Sequence, residues 1–120
     1  MSKLIKFFKA FAYASKGIIS GFKERNMKFH GLVAILVIVA SWWFNLSKFE
    51  WFAVLVLIGV IWSAELVNTS IEELCDLVRD ELSLEYKATQ RARDTAAGAV
   101  LVLAIVATLI GLTIFVPKII

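Results

Sequence analysis

An acid inside a long apolar run is the feature of this sequence that most directly demands chemistry. Glu65 stands in the stretch 51–71, which holds no other charge. A carboxylate in such a setting is costly, and those that occur usually face a bundle interior or a water-filled cavity and serve a function. At 100° per helical residue, Glu65, Asn68, Glu72, Asp76 and Arg79 follow in steps of three, four, four and three and share an arc of about 80° on one face. Leu66, Val67, Ile71, Leu74, Leu77 and Val78 form the opposite face. Three carboxylates on one side of a helix repel if all are ionised. The pattern therefore predicts something positive beside them: Mg²⁺, a lysine or arginine from another helix, or a retained proton.

Two further acids extend the set. Glu24 and Asp94 stand just before two other apolar blocks. Glu24 and Glu72 are hard oxygen donors of the kind Mg²⁺ shares with water and substrate phosphates. Lys6, Lys87, Arg91 and Arg93 can take the remaining phosphate charge. Glu65, set deeper, suits a general base acting on a hydroxyl carried by a molecule that lies in lipid.

The elements that must position these residues follow from hydropathy. Of 120 residues, 60% are hydrophobic and 19% charged, far from the balance of a soluble domain. Three apolar blocks, about 29–46, 51–72 and 95–116, each approach the roughly 20 residues that cross about 30 Å of hydrocarbon as a helix. The expected fold is an all-α membrane protein in one domain, with three transmembrane helices. Before them, Leu4, Phe7, Phe8, Phe11, Ile18 and Phe22 recur at helical spacing with the lysines mostly opposite, which predicts an amphipathic surface helix over 3–22. Lys6, Lys9 and Lys16 interrupt every apolar run there, so no cleavable signal peptide is expected.

Seven of the thirteen basic residues precede the first span and four lie between the second and third, leaving Lys48 and Lys118 for the other side. That bias puts the N-terminus and the 73–94 segment in the cytoplasm. Trp42, Trp43 and Trp51 flank the outer loop as interfacial anchors. His30, at the start of the first span, is expected to meet headgroups. Cys75 reads as packing, Ala96–Ala99 as a close-packing surface, and Arg79, Asp80 and Glu81 as a solvated face. One cysteine and one histidine rule out a disulfide framework and a zinc site built from their clusters. The six glycines form no loop ending in Gly-Lys-Ser/Thr, so any nucleotide is held without a P-loop.

The run Glu65-Leu-Val-Asn68-Thr-Ser-Ile-Glu72-Glu-Leu-Cys-Asp76 resembles the bacterial integral-membrane diacylglycerol kinase family, in which Glu-x-x-Asn-Thr/Ser-x-Ile-Glu-x-x-x-Asp is a specific signature. The resemblance extends through Lys16-Gly17, Glu24-Arg-Asn-Met-Lys-Phe-His30, Glu85-Tyr86-Lys87 and Arg93-Asp94-Thr-Ala-Ala97-Gly, to Phe115-Val-Pro-Lys118. It implies a homotrimer with sites shared between subunits, in the bacterial cytoplasmic membrane, transferring the γ-phosphoryl of MgATP to a lipid alcohol. On matching positions it implies Glu65 as general base, Glu24 and Glu72 as metal ligands, and Asn68 and Asp76 lining the site. Lys6, Tyr13, Glu85, Tyr86, Lys87, Arg93 and Asp94 would lie along the nucleotide with Glu24 and Glu72.

Two departures set this chain apart. Arg93 replaces the lysine the family usually carries, and the two are not interchangeable at phosphates. Ala97 stands where diacylglycerol-using relatives tend to have serine, which favours undecaprenol over diacylglycerol as acceptor. A proton-coupled transporter using Glu65, or a non-catalytic subunit of a membrane complex, are the alternatives; the first does not account for the interfacial run Asn68, Glu72, Asp76, and activity of the isolated chain would exclude the second. No nucleic-acid partner is expected.

Overall fold

The computed structural model describes residues 2–120. Helix α1 spans Lys3–Gly21, α2 Arg25–Trp43, α3 Lys48–Leu82 and α4 Gln90–Ile119, with a 3-10 turn at Tyr86–Thr89 between the last two. Three helices are long and apolar enough to cross a membrane. The protein is thus an all-α, multi-pass membrane protein.

Each boundary has a local cause. Ser2 caps α1 by accepting from the Ile5 amide at 3.2 Å. The turn Phe22-Lys23-Glu24 is closed by amides bonding back to Ile18, Ser20 and Gly21. Glu24 is the N-cap of α2 through its backbone, and its side chain takes no part in the cap. Helix α2 starts at Arg25, four residues before the apolar block, and ends at Trp43, where Asn45 turns the chain with φ of 53°. Ser47 and Glu50 form a capping box that starts α3. Ser83, in the left-handed region at φ 57°, stops it. With 35 residues α3 runs about 52 Å, well beyond one hydrocarbon thickness. The polar stripe thus continues past the membrane on a single rigid helix.

Helix α3 is central, packing along α4 and α2 and touching α1. The closest approach to α1 is at Gly21, where an added Cβ would collide with the Leu66 side chain. Met27, Ala34 and Ser41 are buried at sevenfold spacing along α2, and the Ser41 hydroxyl is satisfied by donating to the Val37 carbonyl at 2.7 Å. On the outer side Lys118 reaches Glu50 at 3.2 Å, tying the end of α4 to the start of α3.

The body measures 56 × 43 × 19 Å, less than two helix diameters thick. Few side chains can be enclosed in such a slab, and the most apolar stretch of α4 has no residue buried within the chain. Trp42 and Trp43 are more than four-fifths exposed, as anchors at an interface would be.

Candidate functional site

The polar stripe of α3 faces inward. Glu65 is 3% exposed and Asn68 4%, whereas most of the large apolar side chains of this chain face outward. A membrane helix inverts the soluble rule, because lipid, not water, covers its outer face. Cys75, one of the few buried apolar residues, is a free thiol in the packing, as its surroundings led us to expect.

The group facing Glu65 is His30. Its Nε2 lies 3.7 Å from Glu65 Oε2, and the two side chains are 17% and 4% exposed. The headgroup contact expected for His30 is therefore corrected: the first span begins one turn earlier than its apolar block, which carries His30 inside the bundle against α3. The backbone there is fixed by Trp62, whose indole N–H donates to the His30 carbonyl at 3.3 Å. Phe22, at the end of α1, packs its ring edge-on against Trp62 with centroids 5.0 Å apart. A chain of contacts thus joins the surface helix, α2 and α3 around one carboxylate.

One turn further along α3, Asn68 Nδ2 donates to Glu72 Oε1 at 3.1 Å. Asn68 Oδ1 is buried and has no hydrogen-bond partner. An orphaned buried acceptor is costly and calls for a partner. Beside the Glu72 carboxylate, such an oxygen suits a hard cation or a donor group of a ligand. Among the described residues no group of three or more His, Cys, Asp or Glu side chains is placed to hold a metal.

Near the C-terminal end of α3, Arg79 is bound by both carboxylate oxygens of Asp80, at 2.7 and 3.2 Å. That hydrogen-bonded guanidinium holds the Asp80 carboxyl below its usual range. Asp76 lies 4.0 Å from Arg79 and is about half exposed, so it belongs to the watery end of the stripe. Tyr86 is bracketed by two guanidinium groups: Arg79 at 4.8 Å and Arg93 at 3.6 Å from its ring centroid. Arg93 also donates through Nη2 to the Tyr86 carbonyl at 2.8 Å and through Nε to Thr89 Oγ1 at 3.4 Å. A lysine could not stack and fork in this way.

Other candidates are not brought to Glu65 within one chain. Lys6 and Tyr13 are exposed on α1, where Lys16 lies over the Tyr13 ring at 5.9 Å. Glu85, Lys87, Asp94 and Ala97 are exposed near the α3–α4 connection. Glu24 is exposed at the α1–α2 turn. An open groove of about 890 Å³ runs between α3 and α4, lined by Val60, Ala64, Val67, Ala96 and Leu103, with Asn68 and Arg91 also on its wall. Sequence reasoning missed His30, Trp62 and Thr89 as parts of the site. The imidazole at the start of an apolar span was the available signal for the first of them.

The sequence model described as prokaryotic diacylglycerol kinase matches residues 12–115. The undecaprenol kinase of Bacillus subtilis (strain 168) is 41% identical over 118 residues, covering 98% of this chain and 94% of that protein. A diacylglycerol kinase of Synechocystis is 33% identical over 112 residues, covering 90% of this chain and 61% of that protein. No solved structure gives a significant match.

Proposed function

The chain belongs to the prokaryotic diacylglycerol kinase family and is a membrane lipid kinase; on that premise we propose that it moves the γ-phosphoryl of MgATP to the hydroxyl of undecaprenol, with Glu65 as general base. The observation that carries this reading is the gradient along α3, from the buried Glu65 through Asn68 to the half-buried Glu72. A lipid hydroxyl arriving from the bilayer and a nucleotide arriving from the cytoplasm would meet along that gradient.

Phosphoryl transfer asks a protein mainly for positioning and for charge stabilisation around the transferring group. Glu65 would orient the acceptor hydroxyl and take its proton as the oxygen attacks phosphorus. Glu24 and Glu72 would hold the metal, with Asn68 fixing Glu72 through its amide and offering Oδ1 to the site. Mg²⁺, when bound, neutralises phosphate charge during transfer. Lys6, Tyr13, Glu85, Tyr86, Lys87, Arg93 and Asp94 would line the nucleotide, and Asp76 and Ala97 the margins of the site. Burial of Asn68 and Glu65 keeps bulk water from competing with the lipid hydroxyl.

Undecaprenol is favoured by the relative with which this chain shares 41% identity over nearly its whole length, and by Ala97 in place of a hydroxyl-bearing residue. A homotrimer is what the family resemblance implies, and a chain only 19 Å thick with Lys6 and Tyr13 exposed on α1 leaves room for neighbouring copies. Neighbouring copies would cover the bare face of α4 and complete the site with residues of α1.

The test is labelled phosphate transfer from MgATP in mixed micelles, offering undecaprenol and diacylglycerol in parallel. Labelled undecaprenyl phosphate as the main product supports the assignment. Preferential labelling of diacylglycerol overturns the acceptor, and labelling of neither lipid by folded protein overturns the reading.

A further inference from the structure

We propose that His30 is the proton-accepting partner of Glu65: a positioning residue that holds the carboxylate for the acceptor hydroxyl and then carries the proton from it to water. The inference rests on the reading of Glu65 as general base and extends it to a residue on a different helix.

A proton taken by Glu65 has to leave before the next acceptor arrives, and a carboxyl group with 4% of its side chain exposed has little access to water. His30 is four times as exposed as Glu65 and stands 3.7 Å away, Nε2 toward Oε2. Imidazole exchanges protons near neutral pH more readily than any other side chain and can take one at one nitrogen while losing one at the other. The ring is also held in place, since Trp62 pins its backbone carbonyl and Phe29 packs edge-on at 5.6 Å.

The surrounding charges leave this task to His30. On α3, Glu72 is engaged by Asn68 one turn away. From α4, Arg91 lies in the outer groove with Asn68. Between α1 and α3, a small pocket that Leu66 helps to line brings Ser20 of α1 together with Ser70 and Glu73 of α3, and Glu65 is not part of its lining. On α2 itself, Lys28 is exposed. Among the described residues, the cationic or protonatable nitrogen that pairs with Glu65 is that of His30.

The chemistry balances as follows. The acceptor O–H gives its proton to Glu65 while its oxygen bonds to the γ-phosphorus. The bond from that phosphorus to the β–γ bridging oxygen breaks, and ADP leaves with the electron pair. The 3.7 Å gap closes to hydrogen-bond length, Glu65 passes the proton to the unprotonated Nε2 of His30, the imidazolium releases its Nδ1 proton to water, and exchange with water returns the ring to the Nδ1–H tautomer. One proton appears in solution per phosphoryl transferred, as the overall reaction requires.

The test compares the wild-type protein with His30→Gln, His30→Ala and Glu65→Gln, reconstituted in mixed micelles with undecaprenol and MgATP. The expected result is a fall in kcat of roughly 10- to 100-fold for both His30 variants, with KM for both substrates unchanged. Added imidazole should restore kcat to His30→Ala, where the ring is missing, and do nothing for Glu65→Gln. A merely structural role would not respond to a free base. Wild-type kcat in either folded His30 variant, a loss confined to KM, or a loss in His30→Ala that imidazole leaves untouched overturns the relay. Inactive Glu65→Gln beside fully active His30→Gln removes the relay alone, whereas full turnover by folded Glu65→Gln removes the base on which it rests.

Discussion

Arg93 lies 3.6 Å above the Tyr86 ring and donates to the Tyr86 carbonyl at 2.8 Å, so one side chain clamps the turn between α3 and α4 both by stacking and by a hydrogen bond. Restoring the family's usual residue with Arg93→Lys removes the planar stack and the fork while keeping the charge. The expected cost is about 1 kcal/mol of stability, the worth of one cation–π contact and one hydrogen bond at a half-buried site. It should appear as a lower thermal midpoint in micelles, together with a several-fold rise in KM for ATP. An unchanged midpoint would show that the clamp contributes nothing to the turn.

The pairing of Asn68 with Glu72 leads to a metal prediction. Glu72→Gln and Glu24→Gln should each raise the Mg²⁺ concentration needed for half-maximal activity by about tenfold or more, since each removes one of the few charged oxygens proposed to hold the metal. Mg²⁺ titration at saturating ATP is the measurement. A loss of activity indifferent to Mg²⁺ would argue against a metal role for that residue. Asn68→Leu, which removes the donor to Glu72 and the orphaned acceptor together, should also depress activity while leaving the helix content intact.

Gly21 and Leu66 form the tightest approach between α1 and α3, and an added Cβ at Gly21 would meet the end of the Leu66 side chain. Gly21→Ala should cost about 1 kcal/mol and Gly21→Val up to about 3 kcal/mol, the range for overpacking. Leu66→Ala should offset the Gly21→Ala defect, giving a non-additive double-mutant cycle. Gly59→Ala, where nothing lies within 4 Å in the chain, should be close to neutral.

How much of this was legible in the sequence depends on the separation of the residues concerned. The stripe Glu65, Asn68, Glu72 is local to one helix, so its spacing alone placed it on one face, and the same periodicity carried on to Arg79, three residues short of the helix end at Leu82. The start of α2 at Arg25 was hidden because hydropathy discounts Arg25, Asn26 and Lys28, although a helix accommodates them readily beside headgroups. The contact of His30 with Glu65 crosses a loop between antiparallel helices, as does the Trp62 to His30 bond over 32 positions, and no local pattern encodes such a register. Arg93 was read as a phosphate ligand from its charge, and only its geometry reveals the stack on Tyr86. The neighbour expected beside the acids was Mg²⁺, a lysine or arginine from another helix, or a retained proton, whereas the side chain that faces Glu65 is an imidazole.

On the outer side, the Lys118 to Glu50 pair at 3.2 Å joins two helix ends, each side chain about a quarter exposed. Lys118→Met should lower stability by less than about 1 kcal/mol, the usual worth of a surface pair. Glu50→Ala should cost more, because it also removes half of the capping box on Ser47. Thermal midpoints of the two variants, compared in the same micelles, decide the order.

The central claim is that Glu65, buried in the span, activates a lipid hydroxyl for attack on ATP. It is tested most directly by label transfer from MgATP to undecaprenol and diacylglycerol, run side by side for the wild-type protein and folded Glu65→Gln. The account predicts labelled undecaprenyl phosphate as the main wild-type product and no turnover by Glu65→Gln. Undiminished transfer by the variant would contradict it.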